Sequence, residues 1–151
     1  MNETGPLDLH ATLVARDGQG LLLRGPSGAG KSDLALRLID RGFRLVADDR
    51  VRLESAGGAL VGHAPAALSG LIEVRGVGLF RLPPLARARV ALLVDLVAPE
   101  AIERLPEPRH EIFCGVRLPL VAIAPFHASA AAALALALSA APVVGALGDA
   151  A

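Results

Sequence analysis

Gly25-Pro26-Ser27-Gly28-Ala29-Gly30-Lys31-Ser32 carries the full spacing G-x-x-x-x-G-K-[ST], the pattern of a loop that cradles the phosphates of a nucleoside triphosphate. The glycines let the backbone curl so that successive N–H groups point into one concavity. A helix opening at Lys31 would add the partial positive charge of its N-terminus to the same anion site. Lys31 is expected to reach the β- and γ-phosphates, and the Ser32 hydroxyl to sit on Mg²⁺. The chain holds fourteen arginines and a single lysine, Lys31. A compact ammonium is needed where a guanidinium will not fit, so the choice of basic residue itself marks this position. The motif specifies triphosphate binding and leaves the acceptor open.

Phosphoryl transfer also needs one acidic group for the metal and another to orient or deprotonate the attacking oxygen. Asp48 and Asp49 end the run Leu45-Val46-Ala47, sixteen residues after Ser32, and two adjacent aspartates can divide those roles. The same pair also reads as a solvated turn before Arg50. Asp95 is a rival, because Ala91-Leu92-Leu93-Val94-Asp95 is likewise an apolar strand ending in an aspartate. Glu73-Val74-Arg75-Gly76-Val77-Gly78 places an acid, a base and two glycines in one segment. Glycine within a strand marks a bulge or a close approach by another group, and an edge hairpin is the plainer alternative. His10, alone before a strand, reads more readily as a surface or capping residue than as a catalyst.

These residues need elements to hold them. His10–Ala15 and Gly20–Arg24 are short β-type runs joined by Arg16-Asp17-Gly18-Gln19, and an Asp-Gly turn between such runs signals a hairpin. The second run leads straight into the glycine loop. After it, Leu34, Ala35, Leu38 and Ile39 share one helical face across Lys31–Asp40, and Gly42 suits a C-cap. Arg44–Ala47 reads as a strand that delivers Asp48 and Asp49. Val51–Glu54 and Ala59–His63 flank Ala56-Gly57-Gly58 as a second hairpin, and Leu71–Leu82 is β-like but punctuated by Gly76 and Gly78. Val90–Val97 is a continuous apolar strand suited to a sheet centre, and Glu100–Arg109, with Pro106 and Pro108, reads as a loop. A strand near Leu118–Ala124 and an alanine-rich terminal helix over about residues 128–141, capped by Ser129, complete the chain. Strands outnumber helices, so the fold class is α/β, with a mixed sheet, antiparallel hairpins and few helices.

The length of 151 residues suits one domain, 1–151, with its core over about residues 8–126. Net charge zero and a pI near 6.9 create no field for a nucleic-acid backbone or an anionic membrane. Cys114 stands alone, which excludes an internal disulfide or a multi-cysteine metal site and fits a reducing compartment; a small core hydrophobe is its expected role. Met1–His10 carries Glu3 and Asp8 and no apolar block, so no signal peptide is expected and a cytoplasmic location is. Ala128–Leu147 is apolar for about the length of a membrane span. Its alanine content and the interruptions at Pro142 and Gly145 favour an amphipathic or buried helix instead.

The order His10, Gly25–Ser32, Leu45-Val46-Ala47-Asp48-Asp49-Arg50-Val51 and Ile72-Glu73-Val74-Arg75-Gly76-Val77-Gly78 resembles the catalytic domain of bacterial HPr kinase/phosphorylase. The resemblance runs through about Leu96 and fades beyond Glu100. It implies an HPr kinase/PEP carboxykinase-like P-loop core. It implies a serine protein kinase that uses ATP and Mg²⁺ to phosphorylate an HPr-like phosphocarrier of the phosphotransferase system, with phosphorolysis onto inorganic phosphate as the reverse reaction. By the resemblance, Asp48 is general base forward and general acid in reverse. Asp49 and Glu73, with Ser32, hold the metal, and His10 lies near the phosphates. Arg75, which could pair with an acidic or phosphorylated group, joins the catalytic set, and Asp95 becomes structural. A homo-oligomer, hexameric in the family, is implied as well. Against the family pattern, the N-terminal domain of longer members is not expected here, and an alanine-rich tail is expected in place of their C-terminal segment. A small-molecule kinase on a similar core and a nucleotide-binding regulator are the competing functions; the absence of an arginine-rich lid segment weighs against the first and the intact Lys31, Ser32, Asp48 and Asp49 against the second.

Overall fold

The computed structural model describes residues 5–142 and 144–147; Glu3 and Val143 lie outside them. A short edge strand, β1 (Leu7–Leu9), leads into the expected hairpin of β2 (Ala11–Arg16) and β3 (Gln19–Arg24). Asp17 (φ 53°) and Gly18 (φ 75°) close it with two consecutive left-handed residues, the turn whose twist matches a two-residue hairpin. Ala11–Ala15 and Gly20–Leu23 are all buried, because both faces of this part of the sheet are covered. That is why these strands read as continuous apolar runs.

Helix α1 (Lys31–Ile39) follows the glycine loop and buries Leu34, Ala35 and Leu38. It ends as the sequence suggests. Gly42 adopts φ 95°, its N–H donates to Ile39 O at 3.0 Å, and Phe43 N–H donates to Leu38 O at 3.1 Å. This paired closure satisfies the last carbonyls and requires a left-handed residue. Strand β4 (Arg44–Ala47) then returns beside β2, and β5 (Val51–Ala56) and β6 (Ala59–His63) form a hairpin turned by Gly57 and Gly58, with Ala56 inside the strand. The segment Leu71–Leu82 is a separate two-stranded sheet, β7 (Leu71–Val74) with β8 (Gly78–Arg81).

Strand β9 (Ala88–Leu96) is the centre of the main sheet, as its apolar run predicts. It bonds antiparallel to β6 and parallel to both β3 and β11 (Val116–Ile123). Within the nine-stranded sheet the path is β1-β5-β6-β9-β3-β2-β4, with β10 (Arg109–Phe113) reached through β11. The fold is thus the expected α/β class with a mixed sheet and few helices. Three expectations need correction. Arg109 begins a strand instead of ending a loop; the edge position of β10 leaves four of its five residues at least partly exposed, which hides it among polar residues. Ser129 precedes the terminal helix α2 (Ala130–Ser139), but its side chain makes no capping bond. Its backbone is already helical (φ −87°, ψ 0°), whereas a capping side chain needs an extended residue behind it. The helix is also shorter than 128–141, since Pro142 biases the chain ahead of it away from helix.

Alternate residues of the central strands feed two cores. Leu13, Leu22 and Leu93 pack with Val51, Leu53, Leu60, Phe113 and Leu118 on one face. Val14, Leu21, Leu23, Leu92 and Val94 pack with Leu34, Leu38, Ile72 and Leu134 of the helical side on the other. Cys114 belongs to the first core, as expected, at a left-handed turn position (φ 52°) between β10 and β11. Burial, and secondarily the Glu54 charge, push its thiol pKa upward. Among the described residues no helix is long and apolar enough to cross a membrane.

Candidate active site

Register brings most of the predicted residues, but not Glu73 or Arg75, to one end of the sheet. Ala11 pairs with Arg24, Arg24 with Asp95, and Leu13 with Ala47. The start of β2 and the ends of β3, β4 and β9 therefore share one edge. His10, Gly25, Asp48 and Asp95 are anchored there, and the loop Gly25–Gly30 curls over it into α1. Gly30, at φ 105°, occupies the N-cap position, and no side chain caps the helix, which leaves the first-turn N–H groups for an anion.

The Lys31 side chain is buried and folds back over its own loop. Its Nζ donates to Gly25 O at 2.7 Å and to Pro26 O at 3.1 Å. These two carbonyls hold the ammonium at the loop mouth. Ser32 Oγ donates to the Asp48 carboxylate, 2.8 Å from Oδ1 and 3.0 Å from Oδ2. Thr12 Oγ1 donates to Asp48 Oδ1 at 2.9 Å and accepts the Asp49 N–H at 3.3 Å. Asp49 itself takes φ 68°, a left-handed conformation that aspartate tolerates better than most side chains. So Thr12, a fully buried residue on β2, ties Asp48 to Asp49, and Asp48 in turn holds Ser32. Sequence reasoning passed over Thr12 because threonine in a strand is ordinary β-forming material.

The other candidates stand apart from this cluster. His10 is exposed at the start of β2. Glu73 and Arg75 are exposed on the β7–β8 hairpin, and among the described residues no hydrogen bond joins them to the loop. Asp95 has a different occupation. Its carboxylate takes two hydrogen bonds from Arg24, Nε–Oδ1 at 2.7 Å and Nη2–Oδ2 at 3.0 Å. Glu111 on β10 binds the other side of the same guanidinium at 2.7 and 2.9 Å. Two bidentate carboxylates, Glu111 first and Asp95 second, raise the Arg24 pKa still further above its ordinary value. Arg24 immediately precedes Gly25, so this clamp fixes the strand end from which the loop springs. Arg24 and Glu111 were not legible as partners, being 87 residues apart.

The donor set suits Mg²⁺. Ser32 and Asp48 present hydroxyl and carboxylate oxygens within hydrogen-bonding distance of each other, with the Asp49 carboxylate next in the chain. Mg²⁺ takes such hard oxygens, with one or two carboxylates and phosphate oxygens completing its shell. Among the described residues no three His, Cys, Asp or Glu side chains gather into a cage, and Mg²⁺ bound to phosphates does not require one.

The family model of the HPr Serine kinase C-terminal domain matches residues 4–126. The HPr kinase/phosphorylase of Clostridium tetani is 51% identical over 77 residues, covering 51% of this chain and 25% of that protein. That of Bordetella pertussis is 43% identical over 109 residues, covering 65% of this chain and 35% of that protein. The chain thus spans between 25% and 35% of the length of these curated relatives. The solved structure of the Hpr(Ser) kinase/phosphatase from Coxiella burnetii matches with a TM-score of 0.78 at 31% identity, over 88% of this chain and 95% of that one.

Proposed function

The chain belongs to the HPr serine kinase C-terminal domain family, and from that membership we propose that it transfers the γ-phosphoryl group of ATP to a seryl hydroxyl of an HPr-like phosphocarrier protein. Mg²⁺ assists, and phosphorolysis returns the group to inorganic phosphate. We assign this work to a single domain, residues 1–151, acting in the cytoplasm as a homo-oligomer. The observation that carries the reading is the contact between Ser32 Oγ and the Asp48 carboxylate at 2.8 and 3.0 Å, at the mouth of the glycine loop. It supports the reading because a carboxylate able to take a proton then stands beside the hydroxyl that a phosphate loop offers to the metal.

The residues divide the task as follows. Backbone N–H groups of Gly25–Gly30 and the start of α1 receive the phosphates. Lys31 exchanges its two carbonyl partners for phosphate oxygens, which are stronger acceptors because they are charged. Ser32, Asp49 and Glu73 would hold Mg²⁺, which would supply charge neutralisation for the phosphoryl oxygens. Thr12 holds Oδ1 of Asp48, so Oδ2 becomes free once the Ser32 hydroxyl turns toward the phosphates. Oδ2 then takes the proton of the attacking seryl hydroxyl, and returns it in the reverse direction. His10 borders the phosphates, and Arg75 on its exposed hairpin faces the acceptor. The test is incubation with labelled ATP, Mg²⁺ and purified HPr-like proteins, beside a panel of small alcohols and nucleotides. Phosphoserine on the protein is expected; label confined to a small metabolite would replace this reading with a small-molecule kinase.

A further inference from the structure

The loop after β11, the last parallel strand, lies against the phosphate loop and presents an aromatic ring there. Phe126 is 69% exposed, although the chain has only four phenylalanines and neither tryptophan nor tyrosine. Pro125 before it is buried, and Ala124 is in the core. The ring nevertheless sits on the loop: a Cβ placed on Gly30 would come within 2.8 Å of Phe126 Cζ and 3.1 Å of Cε1. Gly30 is thus glycine for two reasons, its φ of 105° and the ring against it.

The segment that carries the ring is fastened. Arg37, on α1, donates from Nη2 to Pro125 O and from Nη1 to His127 O at 3.3 Å. Asp33 holds the same guanidinium through Nε at 3.1 Å and Nη2 at 2.9 Å. His127 N–H donates to Ala124 O, and Ala130 N–H to His127 O, so the turn is braced from within as well. An exposed aromatic on a segment fastened in this way, packed on the glycine that precedes Lys31, is a prepared surface. On the loop side the ring meets Gly30, which has no side chain to cover it.

We propose that Phe126 is the platform on which the purine of the bound nucleotide stacks. The inference rests on the triphosphate-binding reading of Gly25–Ser32. With the β- and γ-phosphates seated at Lys31 and Ser32, the nucleoside has to leave the loop over a rim, and the Gly30 rim carries the ring. Every base has a π-face and aromatic side chains stack on it. A phosphate chain has none. Phe126 therefore contributes to ATP affinity and not to phosphate affinity, which separates its role from that of the loop.

The experiment is calorimetric titration of the full chain with Mg-ATP and with Mg-tripolyphosphate, which has the phosphates and no base. Phe126→Ala is expected to weaken ATP about tenfold and to leave tripolyphosphate within about twofold. Phe126→Trp should restore ATP binding and, as the chain's one tryptophan, lose fluorescence when ATP is added and keep it when tripolyphosphate is added. Unchanged ATP affinity in Phe126→Ala overturns the proposal. So does an equal loss for both ligands, which would make the ring a wall of the phosphate loop, or a gain for both, which would make it a cover. Lys31→Ala is the separate control: if that variant still binds both ligands normally, the triphosphate reading itself is at fault.

Discussion

At the scale of single residues, the site turns on one ammonium and one carboxylate. Lys31 is satisfied by two carbonyls of its own loop, and in the proposed function it supplies the charge that draws phosphate in. Lys31→Ala should weaken ATP binding by about 10² or more, as expected for loss of a charge-assisted contact to a multiply charged ligand; calorimetry with unchanged affinity would refute the assignment of the loop. Asp48 differs, because its contacts are to Ser32 and Thr12 and not to the loop backbone. Asp48→Asn should lower phosphoryl transfer by about 10² or more while ATP affinity stays nearly intact. Asp95→Asn is the informative companion. With its carboxylate engaged by Arg24, it should cost stability and spare the transfer rate, and a crippled rate there with a mild Asp48 effect would place the acid/base group on the wrong strand. Much of this was readable in advance: the loop, the acidic pair and their order are local patterns. Thr12 was not, because its value comes from being buried opposite residues met 36 and 37 positions later.

Among the elements, β3 matters most, since it both ends in the loop and joins the two halves of the sheet. The Arg24 clamp at its end ties β3 to β9 and β10 through four hydrogen bonds between 2.7 and 3.0 Å. Arg24 and Asp95 are each about a quarter exposed and Glu111 more so, so solvent screens the cluster in part. Arg24→Met removes the cation and leaves two carboxylates facing each other. It should destabilise the fold by about 1–3 kcal/mol and lower the urea midpoint, and an unchanged midpoint would mean that the clamp contributes nothing net. The elements that sequence reading found are those with a strong period or a turn pair: the Asp17-Gly18 and Gly57-Gly58 hairpins, α1, β4 and β9. Those it missed are edge strands. Leu7–Leu9 has only three residues, and Arg-His-Glu-Ile-Phe of β10 faces solvent along most of its length, so neither needed the apolar alternation that reveals a half-buried strand.

For the molecule as a whole, the proposed reaction requires a protein acceptor presented in line with the γ-phosphate, and a domain of 15.4 kDa offers little surface beyond its own site. The proposed homo-oligomer supplies that surface from a neighbouring copy, and light scattering should return a mass several times 15.4 kDa; a stable monomer that still phosphorylates HPr-like protein would remove the need for it. The placement of β9 also has a consequence in time. Strand β3 meets β2 across a two-residue turn, but its other neighbour arrives late: Arg24 pairs with Asp95, 71 positions on. Closing a loop of that length costs entropy before the contact rewards it, and pairings remote in sequence slow folding. The chain should therefore regain ATP binding in its slowest phase of refolding that does not depend on proline isomerisation, after the β2–β3 hairpin has formed. Pulsed hydrogen exchange during refolding, followed beside the return of ATP binding, measures both. Protection of Leu21–Leu23 ahead of nucleotide capture is the expected order, and capture that appears while the amides of Leu92–Val94 still exchange freely would show that the phosphate loop matures without its central strand.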